Sequence, residues 1–138
     1  VPVVLEGLRL VRKPLPVYPH TALITSEAQG AEMARCLGQA RAVHLLGHGI
    51  TTAGKDIEES VTAAIQLEHQ ATMNYHACAA AGRDHARIPD ELIEEYLQWK
   101  PLAEPHFQEA VARLGPANMG GSIWSDLVDR AAKDIAGG

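Results

Sequence analysis

Residues 45–50, Leu-Leu-Gly-His-Gly-Ile, hold the arrangement with the most chemical capacity: a histidine between two glycines at the end of an apolar run. Glycine on both sides lets the backbone approach a ligand closely and take conformations that other residues resist. Imidazole is also the commonest metal-ligating side chain. His48 therefore reads either as a metal-binding or catalytic imidazole, or as a tight turn that happens to carry histidine. His44 lies four residues earlier in the same run, a spacing that lets both side chains point to one face of a strand. It is either a neighbour of the same site or a core histidine with a partner, and the core reading is preferred. No H-x-H and no H-E-x-x-H occurs in the chain. A metal site takes three or four ligands, so the residues offer one convincing metal ligand, His48.

A second candidate stands on a helix-period pattern. At about 100° per residue, Ile57, Val61, Ala64, Ile65, Thr72, Tyr75 and Ala79 share one face, and Glu68 lies within that stripe. A carboxylate in a core-facing stripe is costly unless paired. Glu68 is expected to be buried, either bonded to a backbone amide or an arginine, or as a carboxylate that orients a metal-bound histidine. His69 and His76 fall off this stripe and are expected at a surface or subunit contact. His20, His85 and His106 have no constellation around them in the sequence.

The elements that position these residues follow from punctuation and periodicity. Four prolines in residues 1–20 (Pro2, Pro14, Pro16, Pro19) imply extended chain there, with a short strand expected at 8–11 and short extended pieces at 17–18 and over 22–25. Ser26-Glu27-Ala28-Gln29 is a capping box that opens a helix to about Leu37, stopped by Gly38. Residues 41–46 are apolar and partly β-branched, as in a buried strand; Gly47-His48-Gly49 breaks it, and 50–53 return as the second arm of a hairpin. Asp56-Ile57-Glu58-Glu59 is a second capping box, starting the longest helix, which should reach Ala81 before Gly82. Further helices are expected from Pro89 to Pro101 and over 105–114, then a loop over 115–121. Ser122 should cap a last helix with the stripe Ile123, Leu127, Val128, Ala131 and Ile135. Strands early and helices late predict an α/β or α+β fold.

The whole chain bounds the function. Its 138 residues predict one domain or a piece of one. Twelve basic against 17 acidic residues give a net charge of −5, which argues against a nucleic-acid-binding domain and a polybasic membrane patch. No apolar run approaches the roughly 18 residues of a membrane-spanning helix, and the first residues lack the charge and cleavage pattern of a signal peptide. Val1 in place of an initiator methionine predicts a chain trimmed or cut from something longer. Cys36 and Cys78 form no C-x-x-C and read as half-buried thiols of a reducing, cytoplasmic compartment.

Residues 41–61 (Arg-Ala-Val-His-Leu-Leu-Gly-His-Gly through Val61), followed by Leu67-Glu68-His69-Gln70-Ala71, resemble the class II aldolase/adducin family in the order and spacing of their parts. Pro16-Val17-Tyr18, Leu23-Ile24-Thr25-Ser26 and the stretch from Gly30 to Gly38 fit the same family, so the resemblance covers about residues 10–114. It implies an α/β fold with a central mixed, largely antiparallel sheet flanked by helices, and a helical C-terminal extension. It divides the chain into 1–114, the C-terminal part of a class II aldolase-like domain, and 115–138, a loop and C-terminal helix. It makes His48 one of three histidines on a divalent metal, zinc or manganese; Glu68 and His44 stand as candidates to support it. The other two ligands, an H-x-H pair, would lie in an N-terminal half that this chain does not contain.

The resemblance further implies a homotetramer acting on a small molecule by metal-assisted C–C cleavage. Gly49 to Gly54, Ile65-Gln66-Leu67-Glu68 and the helical tail after Ile88-Pro89-Asp90 look closer to aromatic-acid decarboxylases than to the sugar-phosphate aldolases and epimerases. The expected substrate is a hydroxylated aromatic carboxylate such as a dihydroxyphthalate. A non-catalytic, adducin-like scaffold is the reading from a different class; retention of His48 argues against it.

Overall fold

The computed structural model describes residues 1–98, 104–114 and 123–137. They belong to two compact units, Val1–Pro89 and Asp90–Gly138. The first unit carries every described strand. Its elements are α1 (Leu8–Val11), β1 (Val17–Tyr18), α2 (Glu27–Leu37), β2 (Ala42–Leu45), β3 (Gly49–Thr52) and α3 (Ile57–Ala81). The sheet runs β1-β2-β3: β1 pairs parallel to β2, with Val17 opposite His44, and β2 pairs antiparallel to β3, with His44 opposite Ile50. The sheet is therefore mixed, as expected; among the described residues it has three short strands, with one parallel and one antiparallel pair, where a central, largely antiparallel sheet was anticipated.

Local signals set most boundaries. Ser26 accepts from the Gln29 amide and Gln29 returns the bond, so α2 starts on a complete capping box. Asp56 accepts from the Glu59 amide at 2.8 Å, and the Glu59 carboxylate takes the Lys55 amide at 2.7 Å. Gly38 and Gly82, at φ 55° and 81°, end α2 and α3 where predicted. The start of α3 is also stitched to β3 and to Arg41, the residue before β2. Thr52 Oγ1 donates to the Ser60 carbonyl at 3.0 Å, and Arg41 pairs with Glu59 at 3.1 Å.

One expectation near the N-terminus fails. Residues 8–11 form a single helical turn instead of a strand. The turn at 8–11 follows Gly7, held at φ 70° against Gln66 of α3; a Cβ there would lie 2.9 Å from the Gln66 Cβ. Close approach to α3 curls the chain, and Leu8 and Leu10 are thereby buried.

The core joins Leu10 of α1, Ala42 of β2, and Ala63 and Leu67 of α3, with Val11 and Leu15 against it. Ala42 and Val43 are both fully buried. Successive strand residues face opposite ways, so both faces of β2 are covered here, one by α1 and α3 and the other on the side of α2.

The face of α3 that packs is not the one periodicity selected. Ala63, Leu67 and Gln70 are buried, whereas Ile57 and Tyr75 are 73% and 72% exposed and Val61 and Ile65 are exposed as well. The neighbours explain the choice. Residues 1–7 are irregular chain with main-chain groups to satisfy, and α3 meets them with amides. Gln70 accepts from the Val3 amide and donates to the Val4 and Glu6 carbonyls; Asn74 donates to the Val1 carbonyl.

The second unit consists of α4 (Asp90–Gln98), α5 (Pro105–Leu114) and α6 (Ile123–Gly137). Ile93 of α4 is buried. In α6 the expected stripe stands largely open, with Leu127 half-buried and Val128, Ala131 and Ile135 exposed, and Asp126 pairs with Arg130 at 2.6 Å. The helix stop at Pro101, the loop over 115–121, the cap at Ser122, the side chains of His106 and Ile123 and the division after residue 114 lie outside the described residues.

Candidate functional site

His48 sits at the bend of the β2–β3 hairpin. Its amide donates to the Leu45 carbonyl at 3.0 Å, closing a four-residue turn whose third residue is Gly47. Gly47 and Gly49 have φ of 79° and 124°, a region that only glycine enters at no steric cost. Both glycines thus have a conformational reason to be present, and that turn carries an exposed imidazole.

The ring is not idle. His48 Nε2 lies 2.5 Å from the Thr21 carbonyl oxygen. A carbonyl only accepts, so Nε2 carries the proton and the neutral ring keeps its lone pair on Nδ1. A hydrogen bond from one imidazole nitrogen to a carbonyl is the usual way to fix the tautomer and orientation of a coordinating histidine.

Beside it, Tyr18, His20, Ala22, Leu23, Ile24, Leu45 and His48 line a surface cavity of about 150 Å³. Four liners are aliphatic, and the polar groups at its wall are two imidazoles and a phenol. That is roughly the volume of an engineered apolar cavity that takes up benzene.

His20, which had no constellation in the sequence, gains one here. Its Nε2 is 3.1 Å from Glu32 Oε1 on α2, and its ring meets Tyr18 edge-on with centroids 5.0 Å apart. The Tyr18 hydroxyl reaches Glu32 Oε2 at 3.5 Å. Burial raises the phenol above its ordinary pKa, and the Glu32 charge adds to the rise. Neither contact was legible, because Glu32 reads as one polar residue of an exposed helix. The one usable signal was Tyr18-Pro19-His20, in which proline fixes the chain between two rings.

The two residues expected to support His48 do not. Glu68 points to solvent, because the burying face of α3 is that of Ala63, Leu67 and Gln70. The buried-carboxylate expectation is overturned, and with it the motive for a role beside the metal. His44 is exposed and not a core residue. It shares the Ala42 face of β2, but the cover from α1 and α3 stops at Ala42, and the bend separates it from His48. His69 and His76 are exposed, as expected. Cys36 and Cys78 are half-buried free thiols, and Cys36 donates to the Val17 carbonyl.

Whether these residues suit a divalent metal is a question of donor count. Among the described residues no three of His, Cys, Asp and Glu come close enough to hold one. His48, with Nε2 turned to the Thr21 carbonyl, offers one nitrogen donor against the three or four ligands that such a site requires. The residues present fit part of a metal site. Among the described residues no helix is long and apolar enough to cross a membrane.

A mixed three-stranded sheet, a G-H-G bend and a long capped helix thus follow one another in the first unit. The chain matches the Class II Aldolase and Adducin N-terminal domain over residues 2–75, and it belongs to that family. It is 34% identical over 117 residues to a 3,4-dihydroxyphthalate decarboxylase of Terrabacter sp. (strain DBF63), covering 84% of this chain and 47% of that protein. It is 32% identical over 128 residues to the decarboxylase of the same name from Rhodococcus jostii (strain RHA1), covering 93% and 46%. The match to the Arthrobacter keyseri protein of that name is 32% over 93 residues, covering 62% and 38%. The chain thus spans about half the length of the curated relatives it matches or less.

Proposed function

We propose that the complete protein is a divalent-metal-dependent carbon–carbon lyase that decarboxylates a hydroxylated aromatic carboxylate of the dihydroxyphthalate type. The observation that carries this reading is the surface cavity beside His48: ring-sized, lined by four aliphatic residues, and walled by imidazoles at 20 and 48. The aliphatic wall can pack on the face of an aromatic ring, a surface that a polyhydroxylated sugar phosphate does not offer. The names of the relatives support the same substrate class.

In this reading the chain is the C-terminal portion of the enzyme, and the rest of the protein brings the remaining metal ligands. A bound zinc or manganese ion would supply Lewis-acid stabilisation of negative charge as the C–C bond breaks. His48 would be one of its ligands, held in register by the Thr21 carbonyl. Leu23, Ile24 and Leu45 would contact the ring faces and keep water from the reacting carbon. We also propose a homotetramer in the cytoplasm.

The test is one assay panel on the full-length protein with manganese or zinc. Carbon dioxide should be released from a dihydroxyphthalate. No dihydroxyacetone phosphate should form from fuculose phosphate, and no glycolaldehyde from ribulose phosphate. Aldol cleavage without decarboxylation would make it a sugar-phosphate aldolase, and activity on neither class would make it a scaffold.

A further inference from the structure

Loss of carbon dioxide from an aromatic ring leaves an electron pair on a ring carbon, and a proton must quench it. We infer that His20, held by Glu32, delivers that proton, and this rests on the decarboxylase reading above.

The geometry of the pair is that of an oriented imidazole. His20 Nε2 is bonded to Glu32 Oε1 at 3.1 Å, which leaves Nδ1 as the nitrogen in play. Among the described residues nothing bonds that Nδ1. Tyr18 braces the ring edge-on and anchors the second Glu32 oxygen through its hydroxyl at 3.5 Å. Pro19 limits the backbone between them. The ring is thus held by two contacts, from Glu32 and Tyr18, and lines the same small cavity as His48. A carboxylate, an imidazole and an open nitrogen at a cavity wall form the constellation used for general acid–base transfer.

An exposed ion pair contributes little to stability. His20 and Glu32 are 52% and 48% exposed, so the pair is not there to hold the fold together. Glu32 is a positioning residue: it keeps the ring orientation in both protonation states. His20 is the catalytic acid. As the carboxylate carbon departs, the C–C electron pair stays on the ring carbon and takes the Nδ1 proton. The N–H bond breaks, the C–H bond forms, and water returns a proton to Nδ1. One carboxylate and one solvent proton give carbon dioxide and a ring C–H, with no change of oxidation state in the protein.

The experiment separates proton delivery from carbon dioxide loss. The full-length protein is incubated in deuterium oxide with the dihydroxybenzoate product, and deuterium entry at the ring carbon is followed by proton NMR. That exchange runs the protonation step alone. Decarboxylation of dihydroxyphthalate is measured in parallel. His20→Gln should lose about a hundredfold or more in both rates, the scale of a general acid. Imidazole added to His20→Ala should restore exchange, which a merely structural role would not allow. Glu32→Gln should lose less than His20→Gln, and it keeps the test open if a His20 variant folds poorly. If His20→Gln stays within twofold of wild type in both assays, or imidazole restores nothing, the inference is overturned and the decarboxylase reading stands. If the wild-type protein decarboxylates no hydroxylated aromatic carboxylate, the functional reading falls and the inference with it.

Discussion

Gln70 and His48 both use a side chain to hold main-chain carbonyls, and the two regions differ in everything else. Gln70 is 1% exposed, makes three bonds to residues 3–6, and seals the N-terminal segment onto α3. His48 spends one nitrogen on the Thr21 carbonyl and leaves the rest of its ring at the wall of an open cavity. The first satisfies every hydrogen-bonding group it reaches. The second leaves a lone pair unused. Buried polar groups that are fully matched hold a fold together, whereas a correctly oriented group with spare capacity is what a ligand site requires. The same contrast separates Asn74, whose Nδ2 donates to the Val1 and Gln70 carbonyls, from His20 with its open Nδ1.

Substitutions can break this comparison at either end. The largest effect is expected at His48. His48→Ala in the full-length protein should lower turnover by roughly 10³-fold, the scale seen when one group stabilising developing charge is lost. Bound metal should fall as well, and the melting temperature should hold within error. A variant with stoichiometric metal and full rate would remove His48 from the site.

At the other end, Gln70→Ala leaves the Val3 amide and the Val4 and Glu6 carbonyls without their partner. The cost should be about 3 kcal/mol, since each buried group left unmade costs about 1–3 kcal/mol. Urea unfolding measures it, and metal content per folded chain should not change. Asp56→Ala removes the side chain that accepts from Glu59 at the start of α3. It should cost about 1 kcal/mol, typical of a lost N-cap, by the same measurement.

A pH titration tests the wall of the His48 cavity, which Tyr18 helps to line. Tyr18 has its pKa raised above 10.0, first by burial and then by Glu32. The folded state therefore binds the phenol proton more tightly than the unfolded chain does. This contribution to stability is complete below pH 10.0 and is lost as pH rises through the folded pKa. Tyr18→Phe should flatten that alkaline loss in denaturant unfolding followed against pH. The smallest effect belongs to Glu68, which faces solvent. Glu68→Gln should shift stability by no more than about 0.5 kcal/mol, and a larger loss of stability or activity would show that α3 packs differently in the full-length protein.

The sequence by itself determined the parts whose causes are local. Ser26 and Asp56 fix helix starts through bonds three residues long, and Gly38 and Gly82 fix helix ends through a backbone conformation, so α2 and α3 fall where predicted. Gly47 and Gly49 fix the bend at His48 for the same reason. The family was legible there too, because the order of strand, bend and capped helix is a local record. What only the tertiary structure decided is which faces meet. Hydrophobic periodicity offered Ile57, Val61, Ile65 and Tyr75 as the packing face of α3, but the neighbour within this chain is an irregular segment full of main-chain amides and carbonyls. Gln70 and Asn74 satisfy those groups, and an apolar stripe would have left them bare. That choice turned Glu68 to solvent. It also takes the folded chain to bring His20 to Glu32, 12 residues away on α2, and His20 to the cavity it shares with His48. No period or spacing encodes that meeting, because it follows from β1 pairing with β2 and α2 packing against them.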